Sequence, residues 1–158
     1  MSRVTRRQFL KTSTAGAGLL TMAPRALQAA ETATAGPLNG TDIVALGRTG
    51  IRVSRLAQGT GYNGYNHSSA HTRQGKEAFD RLLHHSLDRG ITFIDMADLY
   101  GSHPFVQEVV KGLPRDRYAL LTKIWPRKAD WIAPSGGAKQ EIDRFRKELS
   151  VDQIDVCL

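Results

Sequence analysis

Cysteine is almost absent from this sequence of 158 residues: Cys157 is the only one, so no disulfide can form within the chain. Cys157 lies in the apolar run IDVCL, a setting typical of a small buried apolar residue. Long apolar runs are absent too. A membrane-spanning helix needs about 20 predominantly apolar residues, and the weakly apolar stretch 12–23 is too short for one. We therefore expect no stable insertion into a membrane.

The sequence also lacks a basic stripe with interleaved aromatic residues, although its formal net charge is +7. Residues 1–35 carry five basic groups against one acidic group, a net charge of +4, which leaves +3 for the rest of the chain. In that larger part charges of both signs are mixed, as in the stretch EIDRFRKE. Nucleic-acid binding is therefore not expected.

The segment TRRQFLK, which contains the pair Arg6 and Arg7, resembles the twin-arginine export signal at every position. The weakly apolar stretch follows it, and small residues then offer a cleavage site after Ala35, with Ala29 as the alternative. The basic, apolar and cleavage regions occur in the order of a signal peptide. This resemblance implies export through the twin-arginine translocase, a route that moves folded proteins, often with their cofactor bound.

The chain accordingly divides into a predicted twin-arginine signal peptide, residues 1–35, and a predicted domain, residues 36–158. The domain is expected in the periplasm or another extracytoplasmic space. The translocase is the partner that this assignment implies.

Segments with apolar residues at helical spacing alternate with short β-like runs in the rest of the chain. Such alternation is typical of βαβ units with a parallel sheet. No G-x-G-x-x-G motif follows any predicted strand, which disfavours a Rossmann fold. A hairpin is predicted ahead of these units, around the turn signal Arg48-Thr49-Gly50. The predicted helices are residues 76–87, 105–111 and 138–149, and the predicted strands are residues 55–59, 91–95, 118–122 and 153–158.

Ionisable side chains follow two of the predicted strands. Asp95 ends one strand in the run FIDMADLY, Tyr100 comes five residues later, and Lys123 follows the next strand at the equivalent level. Because catalytic groups of a parallel α/β barrel stand at the carboxyl ends of its strands, we expect Lys123 to pair with Asp95. A nearby ammonium favours the phenolate form of a tyrosine, so the hydroxyl gives up its proton more readily. Tyr100 is therefore a candidate general acid.

Three stretches together resemble the aldo-keto reductase family: LGRTGIRVSRLAQGT, GITFIDMADLYG and LLTKIW, in the family's order and at suitable distances. The resemblance covers residues 43–158. It implies an α/β fold, the N-terminal part of a (β/α)8 TIM barrel whose base is closed by an N-terminal hairpin. It also implies reduction of an aldehyde or ketone with NADPH by a tetrad of Asp, Tyr, Lys and His.

The functional residues of that family correspond to six positions of this sequence. The first three members of the tetrad are present, as are the Gly-Thr pair near the nicotinamide and an aromatic residue of the substrate pocket. The resemblance assigns Asp95, Tyr100 and Lys123 as catalytic, Gly59, Thr60 and Asp95 as cofactor-binding, and Trp125 as part of the substrate pocket.

The sequence departs from the family in two respects. The tetrad histidine would come after Leu158, and a complete barrel needs about 250 residues, so we expect a barrel truncated after its fourth strand. The stretch GSHPFVQEVVKGL also differs from the usual Gly-Asn/Ser-Glu after the tyrosine, which leaves the substrate undetermined. Two alternatives to an active reductase stay open: a non-catalytic nucleotide-binding module with a regulatory or assembly role, and an inactive truncated fragment.

Other polar residues near these motifs are predicted to be structural. Asp98 is expected to be a turn residue that hydrogen-bonds the local backbone. His103 is expected to be a solvated loop histidine, because it lacks the ligand spacing of a metal site. No metal site is predicted. Met96 is expected in the core. Trp131 is expected in packing or in a loop, and a role in a pocket stays open.

Overall fold

The computed structural model of the protein describes residues 36–125 and 137–158, and Pro37–Leu158 form one compact unit. The predicted signal peptide and Trp131 lie outside the described residues. None of the helices in the described part of the chain is long and apolar enough to cross a membrane.

An antiparallel hairpin begins the described fold, as predicted. Its strands are β1 (Ile43–Ala45) and β2 (Arg52–Ser54). The hydroxyl of Ser54 accepts hydrogen bonds from the backbone N–H groups of Thr92 and Phe93 at 2.9 and 3.0 Å. These bonds hold the hairpin against the start of the strand that begins at Phe93.

Four parallel strands follow the hairpin and lie in the sheet in the order in which they occur in the chain. Asp95 stands in register with Gly59 on one side and with Leu121 on the other. Because neighbouring strands are parallel, their carboxyl ends meet at one edge, which we call the C-terminal edge. The strands are shorter than predicted: β3 (Ala57–Gly59), β4 (Phe93–Asp95), β5 (Ala119–Thr122) and β6 (Val156–Cys157).

Three helices connect these strands: α1 (Lys76–Asp88) follows β3, α2 (His103–Val110) follows β4, and α3 (Ala138–Leu149) follows β5. The predicted bounds of α3 agree with the structure, α1 ends one residue later than predicted, and α2 begins two residues earlier than predicted. Pro104 lies in its first turn. Proline is well tolerated there, because its fixed φ suits a helix and the N–H that it lacks has no partner within the helix.

The core lies between the helices and the sheet. Ile94 and Leu120 of the two central strands are fully buried, and so is Met96, as predicted. Full burial of one large apolar side chain stabilises a fold by about 1.5–3 kcal/mol, so this shared core holds the strand ends in place. The helices contribute Phe79, Leu83, Leu87, Val106, Val109, Val110 and Leu149 to it.

The prediction that Cys157 is buried is wrong. Cys157 is exposed, and it lies on β6, the last strand in the sheet order of the described residues. The apolar residues around Cys157 correctly indicate a strand, but they do not indicate which residues of that strand are buried by the rest of the protein.

Candidate active site

Asp95 and Lys123 form the predicted ion pair at the C-terminal edge. Asp95 is the last residue of β4, and Lys123 comes directly after β5. The ammonium of Lys123 donates to Oδ1 of Asp95, and to the backbone oxygen of Met96 at 2.9 Å. Both side chains are partly exposed, 29% for Lys123 and 37% for Asp95. The pair is therefore within reach of a ligand at this edge.

Tyr100 lies beside this pair. It ends the short 3₁₀ turn Asp98–Tyr100, and Nζ of Lys123 stands 5.2 Å from the centroid of its ring. A cation within about 6 Å of an aromatic ring centroid interacts favourably with the ring. The structure thus brings together the three residues predicted to be catalytic.

Two backbone hydrogen bonds fix the position of the loop that carries Tyr100 relative to the segment that carries Lys123. Beyond the paired residues of β4 and β5, the N–H of Met96 donates to the oxygen of Leu121 at 2.8 Å. The N–H of Asp98 donates to the oxygen of Lys123 at 3.2 Å. The loop that carries Tyr100 is therefore joined to the segment that carries Lys123.

Glycines of the β3–α1 loop make room for the Tyr100 ring. A Cβ built on Gly61 would come within 2.2 Å of ring atoms of Tyr100, and one on Gly64 within 2.4 Å. Only residues without a side chain allow the loop to approach the ring this closely. Sequence reasoning treated residues 61–75 as a polar loop and missed these two positions, although the repeat GYNGYN contains both glycines.

Gly101 is needed directly after the tyrosine. Its φ is +62°, and a Cβ there would lie 1.9 Å from the backbone oxygen of His67. Positive φ is readily adopted by glycine, and a side chain has no room here. The backbone that follows Tyr100 therefore packs closely against the backbone of His67.

Gly59 and Thr60, predicted to bind the cofactor, differ in their surroundings. Gly59 is exposed, and a Cβ built on it would meet no protein atom within 4 Å. Thr60 is only 1% exposed, and its hydroxyl donates to the backbone oxygen of Asp95 at 2.9 Å. Thr60 thus joins the end of β3 to the end of β4, while Gly59 borders open space; their part in cofactor binding stays a prediction.

Trp125 lies two residues after Lys123 and is 51% exposed. Two tyrosines of the β3–α1 loop, Tyr62 and Tyr65, are also largely exposed. Aromatic surface is therefore available near the C-terminal edge, and the role of Trp125 in a substrate pocket stays a prediction.

The prediction that His103 is a solvated loop residue is wrong. His103 begins α2, is 2% exposed and packs its ring edge-on against Phe145 at 4.8 Å between centroids. Its Nδ1 lies 2.7 Å from Oε2 of Glu148, and its Nε2 lies 2.8 Å from Oγ1 of Thr122. Glu148 is 45 positions away in the chain, so no local pattern revealed this partner.

Asp98 lies in a turn, as predicted, but its carboxylate contacts side chains that are distant in the chain. Oδ1 of Asp98 accepts a hydrogen bond from Nη1 of Arg144 on α3 at 3.0 Å and lies 3.6 Å from Nδ1 of His67. Arg144 also donates to Glu148 at 2.7 Å.

Among residues 36–125 and 137–158, no group of three or more His, Cys, Asp or Glu side chains is arranged to hold a metal ion.

Comparison with known proteins identifies relatives over most of the described fold. The sequence model of the "Aldo/keto reductase family" matches residues 56–158. The "Uncharacterized oxidoreductase YrpG" of Bacillus subtilis (strain 168) is 34% identical over 131 residues, which are 70% of this chain and 37% of that protein.

Solved structures agree on the fold. Aldo-keto reductase AKR11C1 from Bacillus halodurans matches 73% of this chain and 38% of its own, with a TM-score of 0.56 and 24% identity. An aldo/keto reductase from Brucella melitensis matches 78% of this chain and 42% of its own, with a TM-score of 0.52 and 21% identity. The predicted fold class is confirmed: the described strands and helices are those of a (β/α)8 barrel of aldo-keto reductase type. The chain spans about two fifths of the length of these proteins.

Proposed function

The chain belongs to the aldo/keto reductase family, and from that premise we propose that the protein containing it reduces an aldehyde or ketone to an alcohol with NADPH. The observation that carries the proposal is the Asp95–Lys123 ion pair beside the ring of Tyr100. Barrel enzymes place their catalytic groups at this edge, so the convergence of an acid, a cation and a phenol there supports a catalytic role.

A nicotinamide cofactor is compatible with the residues present. The open space next to Gly59 adjoins the strand end that is in register with Asp95, so a planar ring can approach without meeting a side chain at that position. Gly59, Thr60 and Asp95 are the residues proposed to border it. When bound, the reduced cofactor supplies the hydride.

Tyr100 is the proposed proton donor. Its hydroxyl would protonate the carbonyl oxygen of the substrate, and its oxygen would then carry negative charge. The ammonium of Lys123 stabilises such charge, because it lies close to the ring. Asp95 holds that ammonium in place through the ion pair. Trp125 is the residue proposed to contact the substrate.

The proposed function is tested by the loss of NADPH absorbance when the full-length protein is mixed with a panel of aliphatic and aromatic aldehydes and ketones. We expect saturable turnover with at least one carbonyl class. Tight NADPH binding without turnover on any carbonyl would contradict a reductase and support a non-catalytic nucleotide-binding module instead.

We further propose that residues 1–35 direct export by the twin-arginine route. Replacing Arg6 and Arg7 together with lysine should then hold the protein in the cytoplasm, because the receptor recognises the paired guanidinium groups. The measurement is the distribution of the protein between cytoplasmic and periplasmic fractions. Arg3→Lys is the matched control, with the same change outside the pair, and should be exported normally. Normal delivery of the double variant would contradict the assignment.

A further inference from the structure

Two buried polar residues follow the tyrosine turn directly. Ser102 is fully buried and His103 is 2% exposed. They precede and begin α2, and only Gly101 separates them from Tyr100. Polar groups are costly to bury unless they are hydrogen-bonded. Both side chains have such partners: Ser102 contacts Thr60, which directly follows β3, and His103 contacts Thr122 on β5.

Ser102 bonds to the β3 side. Its Oγ lies 2.9 Å from Oγ1 of Thr60, whose own hydroxyl donates to the backbone oxygen of Asp95. A hydroxyl has one proton to donate, so Ser102 is the donor in its bond to Thr60. The backbone oxygen of Thr60 in turn accepts from the buried hydroxyl of Ser69 at 2.8 Å. The start of α2 is thereby joined to the end of β3.

His103 bonds to the opposite side, towards β5 and α3. Burial raises the pKa of Glu148, but hydrogen bonds from His103 and Arg144 outweigh it, and the net pKa lies below its ordinary value. Glu148 is therefore ionised at neutral pH and can only accept, which makes Nδ1 of His103 the donor. Nε2 of His103 then meets the hydroxyl of Thr122, the residue that directly precedes Lys123.

We propose that Ser102 and His103 are positioning residues that set the place of the Tyr100 phenol relative to Lys123. The inference deepens the proposed reductase function and rests on it. The two hydrogen bonds run to opposite sides of β4, to Thr60 after β3 and to Thr122 on β5, so they restrain the short segment that follows Tyr100 from both sides. Both groups are buried and act through Tyr100 and Lys123 rather than on the substrate.

The contact between His103 and Thr122 allows the sharpest test in the full-length protein. Thr122→Val removes the hydroxyl at nearly constant shape, and Thr122→Ser keeps it. We expect Thr122→Val to lower kcat roughly 10- to 100-fold, since a misplacement of about 1 Å can cost that much, with the KM for the carbonyl changed less than about twofold. Thr122→Ser should recover most of kcat.

Histidine variants separate its two contacts. Asparagine at position 103 can reproduce the donor at Nδ1 towards Glu148, and glutamine can reach Thr122 in place of Nε2. We expect His103→Gln to keep more of kcat than His103→Asn, because the bond to Thr122 is the one next to Lys123. The same two substitutions at the exposed His85 of α1 are the control and should leave kcat unchanged. Melting curves identify variants that fail to fold.

A readout without turnover keeps the proposal independent of the reductase assay. The NMR signal of isotope-labelled Tyr100 should move in Thr122→Val and return in Thr122→Ser, while that of Tyr118 stays in place. Absence of turnover in the wild-type protein would contradict the proposed function alone. An unmoved Tyr100 signal, or a kcat of Thr122→Val equal to that of wild type, would overturn the positioning role.

Discussion

Replacing Tyr100 with phenylalanine is expected to lower kcat for carbonyl reduction by roughly 10²- to 10⁴-fold, the range that a positioned general acid contributes. The substitution removes only the hydroxyl. The phenyl ring still fills the space beside Gly61 and Gly64, so the loop around it should keep its conformation. NADPH affinity should change by less than about twofold, because the phenol donates the proton and holds little of the cofactor.

The measurement combines steady-state kinetics with fluorescence titration of NADPH. Tyr118→Phe is the matched control: Tyr118 is buried just before β5, at the opposite end of the strand from Lys123, and loses the same hydroxyl. Its variant should keep kcat near the wild-type value. If Tyr100→Phe turned over as fast as wild type, Tyr100 would not be the proton donor. If NADPH affinity fell together with kcat, the phenol would have a binding role instead.

Replacing Lys123 with methionine is expected to lower kcat by roughly 10²- to 10³-fold, the range for removing one preorganised donor that stabilises developing negative charge. Methionine keeps much of the apolar stem but lacks the ammonium. The negative charge that develops on the Tyr100 oxygen would lose the cation beside its ring, and the carboxylate of Asp95 would lose its partner. The result is measured as kcat with a good carbonyl substrate.

Lys111→Met is the control for this change, because Lys111 is an exposed lysine at the end of α2. Asp95→Asn, alone and combined with Lys123→Met, shows whether the pair acts as a unit. Groups that act as a unit give strongly non-additive losses, so we expect the double variant to be about as slow as Lys123→Met alone. Losses that multiply would show that Asp95 acts on the reaction independently of Lys123.

The elements of the fold could be predicted because their signals are local. The spacing of apolar residues identified α1 and α3 closely, and the turn signal at Arg48-Thr49-Gly50 identified the hairpin. Strand ends were less predictable, since β propensity depends on neighbours in the sheet. The start of α2 was missed because Ser102 and His103 are polar residues. They are buried because distant residues pack against them and accept or donate their hydrogen bonds.

The convergence of Asp95 and Lys123 was predictable for a different reason. Adjacent parallel strands place equivalent residues side by side, so a residue after one strand meets its counterpart after the next. The same reasoning could not find Gly61 and Gly64, because it says where strands end and not how a loop folds back. It also could not find Glu148 as the partner of His103.

By itself, the sequence determined the order of strands and helices, the parallel sheet and the equivalent level of Asp95 and Lys123 at the strand ends. These depend on periodicity and on residues close to one another in the chain. Only the tertiary structure decided that His103 is buried between Thr122 and Glu148, that Asp98 faces Arg144, and that Cys157 is exposed. The physical reason is that burial and hydrogen-bond partners depend on which distant segments pack together. A single polar or apolar residue can be buried or exposed, and the segments that pack against it decide which.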